Sequence, residues 1–173
     1  MAGFLSLARR FVTLLGAGLW LGGFTLYTAF VIPVGHRQLS AGKFGFVTGE
    51  VTALLNEVAA IALVLLLVNL VMEWKRMGNA LRWAGAGAWL LSAFATAGLY
   101  FLHRAIDGAL DYKVREILDR NRFESLHERY ELVATIQWAS GVIHVWFMLA
   151  GWRKSDAVSG APGGKPPAES LRA

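Results

Sequence analysis

At 173 residues the chain is long enough for one domain, but 55% of it is apolar and only 17% charged, and the charges are gathered into short stretches between long apolar runs. A soluble domain spreads its charges along helix faces, so this composition excludes an ordinary water-soluble fold. The formal net charge of +5 does not indicate nucleic acid, because many basic residues sit at the ends of apolar segments, where membrane proteins place anchors; the absence of cysteine excludes disulfides, thiolate nucleophiles and thiolate metal sites.

The expected fold class is an all-α integral membrane protein, a four-transmembrane-helix bundle with a helical extramembrane loop between the third and fourth spans. A spanning helix needs about 20 mostly apolar residues to cross about 30 Å of hydrocarbon. The first span runs from about Phe11 to Val34, behind Arg9 and Arg10. It is longer than a signal-peptide core and lacks a small-residue cleavage site, so it is expected to be retained. Pro33 and Gly35 are expected to close it. The second span runs from about Ala53 to Trp74 and the third from about Leu81 to Leu102. A short basic turn from Glu73 to Arg82 joins them as an antiparallel hairpin.

Arg104 to Glu131 is polar but helical in pattern, with Ile106, Leu110, Val114, Ile117 and Leu118 at helix spacing. Asp119 to Arg122 is the expected break. From Phe123 a helix is expected to run uninterrupted into the fourth span, about Leu132 to Trp152, projecting beyond the bilayer. Residues 1–154 then form one membrane domain. The Ser-, Gly- and Pro-containing segment 155–173 is expected to be a disordered tail.

Four spans place both termini and the loop between the second and third spans on one side. Lys and Arg divide nine to that side and eight to the other, which barely distinguishes them. Position distinguishes them better. On the terminal side the basic residues abut the spans, and Trp74, Trp83 and Trp152 fall at the same boundary. On the other side the basic residues are interleaved with Asp107, Asp111, Glu116, Asp119, Glu124, Glu128 and Glu131. The expectation is a cell inner-membrane protein with both termini in the cytoplasm.

Small residues at helical spacing let helices approach closely in lipid. Gly18 and Gly22, extended by Gly16, form such a face in the first span, as do Gly85 with Trp89 and Ala93 with Ala97 in the third. Packing inside the bundle is the expected use, with homo-oligomerisation as the alternative.

Ionisable groups inside a span are costly and are functional candidates by default. Asn56 and Glu57 begin the second span. His144 lies near the middle of the fourth and shares a helix face with Gln137, Ser140 and Gly141. Such a face serves either as a seam hydrogen-bonded to neighbouring helices or as a proton or ligand site. A second group, His36, Glu50, Glu57, His103, Asp107, Glu124, His127, Glu128 and Glu131, falls toward the non-terminal end. Glu124-x-x-His127-Glu128-x-x-Glu131 places four polar side chains on one face, and Glu-x-x-His is a spacing found in carboxylate metal sites of bundles. Glu57, Glu124, His127, Glu128 and Glu131 are therefore the candidate ligands of a divalent metal such as zinc, iron or Cu(II). A solvated charged helix face is the competing reading, and no matching second motif is present. Haem b is the rarer alternative: it needs two histidines facing each other across the bundle, His36 with His103 or His103 with His127, and His36, His103 and His144 are the candidate cofactor residues. No P-loop, nucleotide-binding glycine pattern, Ser/His/Asp set or His-Glu-x-x-His supports an enzyme.

Leu19-Trp20-Leu21-Gly22-Gly23-Phe24, Pro33 past the first span, Ala41-Gly42 before the second, and Phe123-x-x-x-His127 leading into the last resemble the transmembrane protein 205-like family, whose bacterial members are described as a membrane domain of unknown function. The resemblance covers about residues 9 to 152. Tyr130 and Ala134 stand where that family tends to carry a hydroxyl residue and an amide, and Glu57 stands where some members carry a histidine. The resemblance implies a four-helix membrane protein with no established reaction; animal relatives are associated with resistance to metal-containing drugs and with trafficking.

The functional expectation is a non-enzymatic multi-pass membrane protein that handles a metal ion or small solute at its extracytoplasmic end. The alternatives are an accessory or structural subunit of a larger membrane complex and a haem-binding electron-transfer protein.

Overall fold

The computed structural model describes residues 2–39, 41–111 and 116–160. Helix α1 (Ala2–Leu26) leads through a π-helical turn (Tyr27–Val31) into α2 (Ile32–Gln38), and the three form one rod. Helix α3 (Ala41–Glu73), α4 (Asn79–Asp107) and α5 (Arg120–Gly160) follow, with a two-stranded ribbon, β1 (Leu110–Asp111) and β2 (Glu116–Ile117), between α4 and α5. Four of the resulting helical rods are long and apolar enough to cross a membrane. The most extensive packing is of α4 on α5 and of α1 on α3, and α3 and α4 join the two pairs as a hairpin.

The core sits where these pairs meet. Trp20 is buried among Ala17, Ala59, Ala62, Leu63, Leu66 and Met148. The Trp89 indole N–H donates to the Leu63 carbonyl at 2.9 Å, so this ring carries its polar atom into the core with a partner. A second cluster joins Leu99, Tyr130 and Ala134. The opposite faces are apolar but outward: Phe94 and Phe101 are each 74% exposed and Trp146 is 70% exposed. A soluble helix would place charges on those faces.

Several expectations need correction. Pro33 does not close the first rod, which continues to Gln38. Proline lacks an N–H and its ring collides with the carbonyl four residues back in a regular helix. The wider π turn ends immediately ahead of it and places Pro33 at the start of α2. The segment after α4 is not helical over Leu110 and Ile117. They are register partners in an antiparallel ladder with Asp111 and Glu116, while Val114 lies outside the described residues. Helical spacing of apolar residues is outweighed here by a helix end at Gly108. The last helix starts at Arg120 and is continuous through the fourth span, but it extends to Gly160, so 155–160 is helix; residues from 161 onward are outside those described. Ser155 is buried at that extension and Asp156 is tied to Arg10 at 2.9 Å, contacts that hold the last turns against α1.

The glycine face of α1 also differs. Gly18 and Gly22 have no neighbouring atom within 4 Å of where a Cβ would stand; Gly16 and Gly23 are the ones that meet α3, near Leu65 and Leu55. Trp152 does not face outward as an interfacial ring would. It is buried in the core with the Arg10 guanidinium 5.1 Å above its ring, whereas Trp83 is exposed and meets Trp74 edge-on at 5.5 Å.

Candidate functional site

The outer-end candidates are spread over separate pairs. His127 Nε2 lies 3.2 Å from Glu131 Oε1, and its ring stacks on Phe123 with centroids 5.7 Å apart. Glu124 pairs with Arg120 at 2.9 Å, and Glu128 is exposed on the same helix. His103 lies 3.7 Å from Asp107, and its ring is tilted at 53° to that of Tyr130 with centroids 6.4 Å apart. These pairs join positions four apart, as helix geometry dictates. Glu57 is exposed on α3 beside the Tyr100 hydroxyl. His36 packs edge-on against Phe44 at 4.8 Å. Among the described residues no three of His, Asp and Glu come together in a group that could hold a metal ion. Each histidine has a different neighbour.

The polar residues that the fold brings together are inside the bundle. Tyr130, Gln137, Ser140 and His144 are all buried on α5, and their spacing aligns them on one face. From Tyr130 to His144 that line rises about 21 Å along the helix. At its outer end Asn56 Nδ2 donates to the Tyr130 hydroxyl at 3.0 Å. In the middle Gln137 Nε2 donates to Thr96 Oγ1 at 2.7 Å, and Thr96 Oγ1 in turn donates to the Ser92 carbonyl at 2.8 Å. The hydroxyls of Ser92 and Ser140 lie 2.7 Å apart. Ser140 directs its own hydrogen to carbonyls of α5, 2.7 Å from Ile136 O and 3.0 Å from Gln137 O, which leaves Ser92 as the donor between them. These bonds couple α4 to α5.

At the inner end the seam becomes ionisable. The buried stripe of α3 runs through Ala59, Ala62, Leu66, Asn69 and Glu73, so its last two turns place an amide and a carboxylate where the earlier turns place apolar groups. Asn69 and Glu73 are 2% and 1% exposed. Arg9 reaches across from α1 and donates to the side-chain oxygen of Asn69 and to Glu73 Oε1. Arg76, in the turn after α3, is 3.8 Å from the same carboxylate oxygen. From α5, His144 Nδ1 lies 2.8 Å from the Gly85 carbonyl of α4. Gly85 is itself buried between Leu70 and Phe147.

Asn69, Glu73, Gly85 and His144 line one small cavity of about 10 Å³, closed on its apolar side by Leu70, Met77, Met148 and Trp152. That volume is about one water molecule. Two buried atoms of its polar lining, Glu73 Oε2 and His144 Nε2, have no hydrogen-bond partner among the described residues. A buried unpaired acceptor is costly to retain.

Of the four inner-end side chains, only His144 is a sequence candidate. Arg9 looks like a membrane anchor and Glu73 like the start of a turn. The available signal was an Asn69-x-x-x-Glu73 step, an amide and the only acid in an otherwise apolar and basic stretch. Comparison of the chain with family models, with curated proteins and with solved structures finds no match, so the resemblance to the transmembrane protein 205-like family rests on its short motifs and the reading of the site rests on geometry.

Proposed function

We propose that the chain is a non-enzymatic multi-pass protein of the cell inner membrane, with both termini and the α3–α4 turn in the cytoplasm, that handles a small polar solute within its helix bundle. The outward apolar faces support insertion. The observation that carries the solute reading is the cavity at Glu73 and His144, where two buried ionisable side chains each present an unpartnered atom. Ionisable groups in this setting are expensive to retain and mark solute or proton sites by default. The size of the cavity restricts the solute to one no larger than water, a proton or an ammonium-sized species.

The test is flux. Full-length protein is reconstituted into liposomes loaded with a pH-sensitive dye, and an imposed proton or ammonium gradient is followed. Wild-type vesicles are expected to dissipate one of these gradients faster than protein-free vesicles, and Glu73→Gln vesicles are expected to lose that excess. Rates equal to those of protein-free vesicles for both gradients would remove the reading.

The second reading, an accessory subunit of a larger membrane complex, is favoured by the exposed beginning of α5, where Arg120, Glu124, Glu128 and Leu132 stand clear of the bundle. Co-purification with a stable complex in mild detergent supports it, and a monodisperse free protein counts against it. A divalent metal at His127 and Glu131 predicts thermal stabilisation by zinc that disappears when both are changed to Ala. A haem at His36, His103 or His144 predicts Soret absorbance in the purified protein.

A further inference from the structure

A carbonyl oxygen can only accept a hydrogen bond. The 2.8 Å contact between His144 Nδ1 and the Gly85 carbonyl therefore requires the ring to carry its hydrogen on Nδ1. In the neutral ring Nε2 is then a bare acceptor. It is buried and unpartnered, and so is the second buried atom of the lining, Glu73 Oε2, also an acceptor. Two acceptors cannot satisfy each other; both residues line the one cavity, so an occupant that satisfies both must donate to both.

We infer that this cavity binds a single hydrogen-bond donor, one water molecule or the proton that it carries, held between His144 Nε2 and Glu73 Oε2. The inference rests on the proposed solute site and names its ligand. The fit is one of size as well as polarity: a volume of about 10 Å³ admits one water and excludes organic solutes. Charge selects against a metal cation. The charged groups facing the cavity region are Glu73 of α3, Arg9 and the more distant Arg10 of α1, and Arg76 of the α3–α4 turn. Asn69 of α3 contributes a neutral amide whose oxygen is already taken by Arg9. The Gly85 carbonyl is the polar contribution from α4 to the His144 ring. With Arg9 balancing the carboxylate, the site offers two lone pairs and no net negative charge.

The test is nitrogen NMR of the full-length protein labelled at its four histidines, with the His144 signals assigned by their loss in His144→Gln. The expected result near neutral pH is a protonated Nδ1, an unprotonated Nε2 and a cross-peak from the ring to water. The Nε2 resonance is expected to move in Glu73→Gln. A ring protonated on Nε2 in place of Nδ1, or a wild-type ring without a water cross-peak, would overturn the inference even if Glu73→Gln failed to fold. An Nε2 resonance unmoved in a folded Glu73→Gln would also overturn it. Flux without the expected spectrum keeps the solute reading and removes this ligand; the expected spectrum without flux keeps the bound donor and removes the solute reading.

Discussion

The indole of Trp20 lies across Gly141: a Cβ at position 141 would stand 2.6 Å from ring atom Cη2 and 2.9 Å from Cζ3, with Leu21 Cδ2 at 3.0 Å. Trp20 is 1% exposed and packed among Ala17, Ala59, Ala62, Leu63, Leu66 and Met148. Gly141→Ala is therefore expected to destabilise the bundle by roughly 1–3 kcal/mol, the usual range for overpacking a filled core. Unfolding in a denaturing detergent series measures it. Gly22→Ala, where nothing lies within 4 Å, is the matched control and should be close to silent.

Tyr130 of α5 and Asn56 of α3 are tied through one 3.0 Å hydrogen bond in a buried setting. Tyr130→Phe keeps the ring and leaves the Asn56 amide short of a partner. A loss of about 1–2 kcal/mol is expected. A double-mutant cycle with Asn56→Ala should return a coupling energy of the same sign, and a cycle that closes to zero would mean that the contact contributes nothing.

Arg9 and Glu73 behave as a buried pair. Removing one partner leaves an uncompensated charge, so Arg9→Met is expected to cost about 3–5 kcal/mol, and Arg9→Met with Glu73→Leu is expected to recover much of the loss. The exposed Arg120–Glu124 pair is the contrast. Arg120→Ala should stay within about 0.5 kcal/mol of wild type. Thermal unfolding of the three variants beside wild type decides the matter.

The proposed orientation makes a labelling prediction. The chain has no cysteine, so a single introduced one reports its own side of the membrane. Lys75 and Glu128 are both exposed, at opposite ends of the bundle. In intact cells a membrane-impermeant maleimide should label Glu128→Cys and leave Lys75→Cys unlabelled until the membrane is opened. The reverse pattern would invert the topology.

Hydropathy along the chain was sufficient to place four long apolar helices, and helical periodicity was sufficient to put Gln137, Ser140 and His144 on one face of the last. Both are local properties, set by residues within a few turns of one another. Helix rotation is not local. In the second rod apolar residues surround the whole circumference, so composition gave no reason to favour the stripe Ala62, Leu66, Asn69 and Glu73 as the inward one, nor to expect Gly16 and Gly23 rather than Gly18 and Gly22 to meet it. The inner-end site depends on that rotation. Arg9 meets Glu73 across 64 positions and His144 meets Gly85 across 59, separations at which no spacing rule operates. What the sequence determined by itself is the number and apolar character of the helices and the polar face of α5. Only the tertiary structure decided which groups that face meets, because packing alone brings Glu73 of α3 and His144 of α5 into the lining of one cavity.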